Sequence, residues 1–312
     1  MKKKAILFFF ILTFLYSEEN KLIIFHAGSL AKPFKELKYE FEKKNKNITV
    51  FLEAAGSIEC ARKIRDLKKD CDLFASSDEF VISEYLIPEY ASWSIEFLTN
   101  EIVIMFTSKS KFNKEINSSN WYDILLRKGV EYGHSDPDKD PCGYRSLQVW
   151  QLAEIYYKKE NLFNQLKDNC PMKNIRPKEV DMLSLLETNE IDYLFIYRSV
   201  AVQHNGLYLT LPDKINLGNE DLKDFYKNAI VEIRGKTEDQ KIKQIASPIK
   251  YSLTIPVSSK NKNLAIKFVE FLTTEEARKI FETNGHKIIT PMISKYYDNL
   301  PIILKKYVRQ VQ

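Results

Sequence analysis

The amino-acid sequence predicts an α/β protein of two lobes, one inserted into the other, and three observations predict it. Strand-like and helix-like segments alternate from residue 21 to residue 76; a long strand-like run lies at 94–107; and a second strand-like run near 250 follows with no flexible Gly/Ser linker between. The alternation argues for a parallel sheet covered by helices. A strand leaving one lobe near residue 105 and another returning near 250 make residues 20–105 plus 250–312 one lobe and residues 106–249 the other. Two crossing strands with a cleft between the lobes suit hinge closure on a ligand.

Taken in order, KLIIFHA (21–27) reads as a buried strand and Gly28-Ser29 as its turn. The next segment places Phe34, Leu37 and Phe41 on one face at helical spacing. ITVFLEA (48–54) is a second strand, again closed by a glycine and a serine, Gly56-Ser57, before a helix over 58–68 and a strand over 72–76. Beyond the run at 94–107, helices are expected near 120–128 and 143–159, with the loop EYGHSDPDKDP between them. A polar, asparagine-rich connection leads to a helix after Pro177 and to the strand DYLFIY at 192–197. IKYSLTIP (249–256) is the returning strand, and helices over 262–284 are closed by Gly285.

At the N-terminus, Lys2, Lys3 and Lys4 precede the apolar run AILFFFILTFLY, after which the chain turns polar at Ser17. That is the pattern of a secretory signal over residues 1–17. The run is shorter than the roughly 20 residues of a membrane span. Kept uncleaved, the same segment would anchor the chain at the outer face of the membrane; both readings place the rest outside the cytoplasm. With those three lysines set aside the net charge is about +2, too balanced for nucleic acid, which asks for a clustered basic face. Cys60, Cys71, Cys142 and Cys170 permit disulfides in an oxidising compartment, with Cys60–Cys71 the favoured pair. None forms a CxxC motif, and His26, His134, His204 and His286 are scattered, so packed or exposed histidines are expected rather than a metal cluster.

Two segments share one design of strand, small residues, serine and helix: HAGSL (26–30) and EAAGSIE (53–59). The plainest role for such a serine is to cap its own helix. Both, however, fall at the carboxyl ends of neighbouring parallel strands, where open α/β sheets bind ligands. Paired helix N-termini there form an anion site, and with no lysine or arginine in either turn the donors would be neutral. DPDKDPCGYRS (136–146) opens a further helix at Pro141-Cys142-Gly143, with Asp140 a natural N-cap. Arg176-Pro177-Lys178-Glu179 is a good helix start. Tyr197, ending its strand, either packs with its hydroxyl in water or donates to a ligand.

With HAGSL, EAAGS, DPCGYRS, RPKE and IDYLFIYRSVAVQHN in this order, the chain resembles the archaeal-type tungstate/molybdate-binding proteins, solute receptors of an ABC importer. The likeness runs over nearly the whole chain after the signal and ends in SPIKYSLTIP. It implies a two-lobed periplasmic-binding-protein fold, each lobe a mostly parallel sheet flanked by helices. The ligand would be tungstate or molybdate with no cofactor, the partners an importer permease and its ATPase, and the receptor a monomer. Gly28, Ser29 and Ser57 would hold the oxyanion from one lobe, and Asp140, Pro141, Cys142, Glu179 and Tyr197 from the other. Two features depart from the pattern: the connection from Cys170 to Arg176 is short, which puts the placement of Glu179 in question, and Cys60 and Cys71 have no part in the binding motif.

An acid beside a dianion calls for a physical reason, because like charges at about 4 Å repel by about 4 kcal/mol at an effective dielectric of about 20. Tungsten and molybdenum are large enough to expand from four oxygen neighbours to six. Asp140 and Glu179 would then bond the metal of the bound oxyanion directly, and sulfur, which cannot expand so, would be rejected. Two alternatives stay open: a receptor for another oxyanion such as phosphate, whose proton Asp140 would accept, and an exported hydrolase. The latter lacks GxSxG and any histidine placed by sequence beside a serine.

Overall fold

The computed structural model describes residues 20–311; the expected signal or anchor at residues 1–17 lies outside them. The chain order of strands is β1 (Lys21–Ala27), β2 (Thr49–Ala55), β3 (Leu73–Ser76), β4 (Ile95–Thr99), β5 (Ile102–Phe106), β6 (Tyr132–Ser135) and β7 (Ile175–Arg176). Then follow β8 (Tyr193–Tyr197), β9 (Leu207–Thr210), β10 (Ile230–Arg234), β11 (Lys241–Ile245), β12 (Lys250–Thr254), β13 (Lys287–Ser294) and β14 (Val308–Gln310). One sheet has the order β14-β13-β4-β12-β3-β1-β2, a second β7-β6-β8-β5-β9, and β10 pairs with β11 as a separate hairpin.

Both sheets are mixed, which corrects the expectation of mostly parallel ones. β1 runs parallel to β2 and β3, but β12 is antiparallel to β3 and β4. In the second sheet β6 is parallel to β7 and β8, while β5 is antiparallel to β8 and β9. β5 and β12, the first strand of each sheet after a crossing, run against the parallel strands of their sheet; β4 runs with β1–β3, and β13 and β14 run with β12.

The run at 94–107 is two strands rather than one. β4 belongs to the larger sheet and β5 to the smaller, so the change of sheet falls at Asn100-Glu101, not at residue 105. The return runs through residues 246–249 into β12, and the two connections touch, Asn100 N–H donating to the Ile249 carbonyl at 3.3 Å.

In the first lobe, β1 is nearly all buried between its neighbours, as a central parallel strand with both faces covered should be. The helix Ala31–Lys44 buries Phe34, Leu37 and Phe41, and Phe41 meets Phe268 of the helix Lys262–Leu272 edge-on at 4.9 Å between ring centroids. In the second lobe, Trp121 and Trp150 both pack edge-on against Phe195 of β8, at 5.6 and 5.3 Å. Trp150 rides on the helix Pro141–Tyr157, which is buried over most of its circumference and whose buried polar residues, Arg145, Ser146 and Gln148, are all hydrogen-bonded. Among the described residues no helix is long and apolar enough to cross a membrane.

The lobes are shut against each other. The β10–β11 hairpin reaches from the second lobe to the first, where its Arg234 and Gly235 carbonyls accept from Tyr85 and Arg62 at 2.5 and 3.3 Å. Deeper in, Asp78 of the first lobe takes Arg145 Nε and Nη2 at 2.9 and 2.5 Å and the Tyr144 hydroxyl at 2.8 Å. Arg145 also donates to the Ser247 carbonyl on the returning connection at 2.9 Å.

Candidate functional site

The register of β1 against β2 sets the first half of the site. Ala27 lies opposite Ala55, so Gly28-Ser29 and Gly56-Ser57 leave the sheet at the same level and side by side. Neither serine caps a helix, contrary to its plainest reading. Ser29 lies in the short 3-10 turn Gly28–Leu30 ahead of the helix Ala31–Lys44, and Ser57 is the first residue of the helix Ser57–Arg65, with no side-chain cap at any of these starts. Their hydroxyls instead accept bonds: Ser29 Oγ from the Tyr251 hydroxyl at 2.8 Å, Ser57 Oγ from the Ser77 N–H at 3.0 Å. A hydroxyl that accepts one bond keeps its own proton to give, and helix-start N–H groups around it lack intrahelical acceptors.

The second half is set by β6 and β7. His134 and Ser135 pair with Ile175 and Arg176, and Asp136 N–H closes the register on the Arg176 carbonyl at 2.7 Å. The turns after these two strands therefore emerge together, bringing Asp140 and Glu179 into contact. The short connection after Cys170 is what permits this: a 3-10 turn at Met172–Asn174 leads directly into β7. Asp140 does cap the helix Pro141–Tyr157, its Oδ1 accepting from Cys142 N–H at 3.3 Å, while its Oδ2 accepts from Glu179 N–H at 2.8 Å. Glu179 opens a 3-10 turn, Glu179–Met182, rather than the regular helix expected after Pro177, and that turn passes into the helix Leu183–Glu187.

Both Glu179 carboxylate oxygens are buried without a hydrogen-bond partner among the described residues, as are the hydroxyls of Tyr197 and Ser135. Buried polar atoms are nearly always paired, so a carboxylate with both oxygens orphaned marks a place built for something else. The glycines show how tightly the halves meet there. A Cβ at Gly28 would sit 3.2 Å from each Glu179 oxygen, and one at Gly56 would fall 2.4 Å from the Lys139 carbonyl oxygen. Only hydrogen fits at residue 56 while the lobes are shut.

The charges follow from the burial. Burial first, and the neighbouring Glu179 second, hold the Asp140 carboxyl well above the ordinary carboxylate range. Burial likewise pushes the Cys142 thiol well up, with Asp140 and Glu179 adding to it, and raises Tyr197 in the same way, next through Tyr251. Cys142 therefore stays a thiol, contributing its backbone and bulk at the helix start beside Pro141. Its Sγ lies 3.9 Å from the Phe195 carbonyl.

A family model described as bacterial extracellular solute-binding protein matches residues 22–287. The chain belongs to that family. It is 40% identical over 315 residues to the molybdate/tungstate-binding protein of Pyrococcus abyssi, an alignment covering 91% of this chain and 89% of that protein. It is also 40% identical to the molybdate/tungstate-binding protein of Thermococcus kodakarensis, covering 92% and 87%. Among solved structures, the periplasmic molybdate-binding protein of Azotobacter vinelandii superposes with a TM-score of 0.62 at 15% identity, over 85% of this chain and 98% of that one. That likeness carries the fold, the two-lobed one of periplasmic binding proteins.

In this solute-binding protein, Gly28 and Glu179, Gly56 and Asp140, and Asp140, Pro141 and Cys142 are brought together at the lobe junction. Tyr197 joins them through Tyr251, ring to ring at 5.7 Å. Tyr251, Ser77, Ser135 and Asn100 escaped the sequence reading. Ser77 and Ser135 had a signal, since each lies at or just past the carboxyl end of a strand, β3 or β6, like the serines that were found. Tyr251 and Asn100 had none; they are near the site only because β12 and the Asn100-Glu101 step pass through the crossover.

The cysteine expectation is corrected: all four thiols are free and buried. Cys60 Sγ turns to the His26 carbonyl at 3.8 Å and Cys71 Sγ to the Leu73 carbonyl at 3.2 Å. The histidines are packed or exposed. His26 Nδ1 lies 2.8 Å from the Ala27 carbonyl and His134 Nδ1 2.7 Å from that of Ser135, and burial pushes His26 down to about 4. His286 is buried against Tyr251, and His204 is exposed.

Proposed function

We propose that this solute-binding protein captures tungstate or molybdate between its lobes and passes it to the permease of an ATP-driven importer. The observation that carries the reading is the Glu179 carboxylate, buried beside Asp140 with both oxygens unpartnered, under the Gly28 turn of the opposite lobe. Ser29 and Ser57 donate to the oxygens of the anion from the first lobe, and Tyr197 from the second. Asp140 and Glu179 supply two hard oxygen ligands to the metal itself, raising it from four to six neighbours. The 40% identity to two proteins named for molybdate and tungstate supports the choice of ligand.

The same reading makes the receptor a monomer that works outside the cytoplasm, with residues 1–17 removed on export or kept as an anchor. Its lobes close on the ligand, because the site draws residues from both. Titration calorimetry of the chain from residue 18 onward, against tungstate, molybdate, sulfate and phosphate, tests it. Binding of tungstate and molybdate with sulfate and phosphate excluded is the expected result; phosphate binding with tungstate ignored overturns it. Intact mass of the native protein decides between removal and anchoring.

A further inference from the structure

We infer that Asn100 and Tyr251 are positioning residues that make Ser29 a hydrogen-bond donor toward the oxyanion, through a directional chain anchored at the lobe crossover. The inference rests on the ligand reading above and adds residues that the binding motif does not contain.

The chain begins at Asn100, buried at the step between β4 and β5. Its Oδ1 accepts the backbone N–H groups of Glu101 and Ser199 at 3.0 and 3.3 Å, which fixes which end of the amide is oxygen. The Nδ2 end then faces Ser199 Oγ at 2.8 Å and the Tyr251 hydroxyl at 3.0 Å. An amide nitrogen only donates, so the Tyr251 oxygen accepts there and spends its single proton elsewhere. Ser29 Oγ, 2.8 Å away, receives it. Ser29 in turn has its own proton left to direct at whatever lies in front of the turn.

Tyr251 and Ser29 are fully buried, so no bulk water competes for these directions. Ser57 lacks such a chain: its Oγ accepts the Ser77 N–H at 3.0 Å and also lies 3.1 Å from the Ser77 hydroxyl, where either oxygen can donate. Ser29, by contrast, has its proton free to present to an anion oxygen, with one lone pair already taken by Tyr251. One amide also touches both crossings: Asn100 lies on the outgoing one, Tyr251 on the returning strand, and Ser199 in the helix Arg198–Gln203 that follows Tyr197. The donor direction of Ser29 is therefore set by the same residue about which the lobes change sheet.

A double-variant cycle in the full chain tests this, read by calorimetry with sodium tungstate. Tyr251→Phe keeps the ring and deletes the proton relay, and Ser29→Ala deletes its target. Each alone is expected to weaken binding about tenfold, and the double variant to be no weaker than Ser29→Ala alone. Losses that multiply overturn the inference, because Tyr251 would then act independently of Ser29. Asn100→Ser, run through the same cycle, serves if Tyr251→Phe fails to fold by circular dichroism. A wild-type chain that binds neither tungstate nor molybdate overturns the ligand reading and this inference with it; wild-type binding with multiplying losses overturns only the inference.

Discussion

The two walls of the site are built on opposite principles. The first-lobe wall is neutral and satisfied: Ser29 and Ser57 have bonding partners, and no charged side chain lies in their turns. The second-lobe wall is acidic and unsatisfied: Asp140 and Glu179 are buried side by side, with Glu179 and Tyr197 holding unpartnered oxygens. A site for a plain oxyanion needs only the first kind of wall, since donors and helix N-termini suffice for it. The second kind makes sense for an anion whose central atom can itself accept oxygen ligands. On the proposed function, the second lobe supplies the selectivity and the first the general anion affinity.

The contrast matters only while the lobes are shut, and the largest expected effect removes the closure. Arg145→Met leaves the Asp78 carboxylate buried without its cation, at a cost of about 3–5 kcal/mol to the closed form. Opening relieves that cost by letting water reach Asp78. Tungstate affinity should therefore fall at least about a hundredfold. Solution scattering should show that a tungstate concentration compacting the wild type leaves the variant extended. Compaction and affinity equal to wild type would show that the pair is dispensable to closing.

Next in size is removal of the acidic wall. Asp140→Asn and Glu179→Gln keep shape but are poorer ligands to a metal, and each should weaken tungstate by well over tenfold, more than about 1.4 kcal/mol. Sulfate binding should strengthen as repulsion is relieved. If both amides bind tungstate as the wild type does, six-coordination is excluded while the receptor assignment stands. The neutral wall gives the converse: Ser57→Ala removes one neutral donor, worth about 1 kcal/mol, and should weaken tungstate and sulfate alike in competition calorimetry. A loss confined to tungstate would break the division between the walls.

The smallest effect is on pH. In the closed form the Asp140 carboxyl is held above its ordinary range, by burial first and Glu179 second, whereas open lobes let water reach it. The closed form then binds more protons than the open one. This contribution to closing is fully present below the ordinary carboxyl value and is lost as pH rises through the raised one. Without ligand, the radius of gyration should shrink slightly as pH falls from about 8 toward about 4. The double variant Asp140→Asn, Glu179→Gln should not respond.

Much of this was readable from residue order because it depends on local pattern. The alternation from β1 to β3, the apolar spacing of Phe34, Leu37 and Phe41, and the paired Gly-Ser turns are short-range signals that burial merely ratified. Asp140 was legible as a cap for the same reason. The expected loop EYGHSDPDKDP instead opens with the buried strand β6, and β7 was unread as well; both are too short to show an alternation. β9, β10, β11, β13 and β14 were also unread, because strands half exposed to solvent lack a clear apolar period.

Tertiary structure alone decided which neighbours each motif would have. That Ser29 accepts rather than caps follows from Tyr251, 222 residues away in sequence. The meeting of Asp140 with Glu179 follows from the pairing of β6 with β7, and that pairing lines up two turns that share no local signal. The mixed sheets and the change of lobe at Asn100-Glu101 follow from which strands pair across the chain, β12 between β3 and β4 and β5 between β8 and β9. Composition and periodicity act over a few residues, and hydrogen-bond polarity across a closed cleft is a property of residues that meet only when the chain is folded.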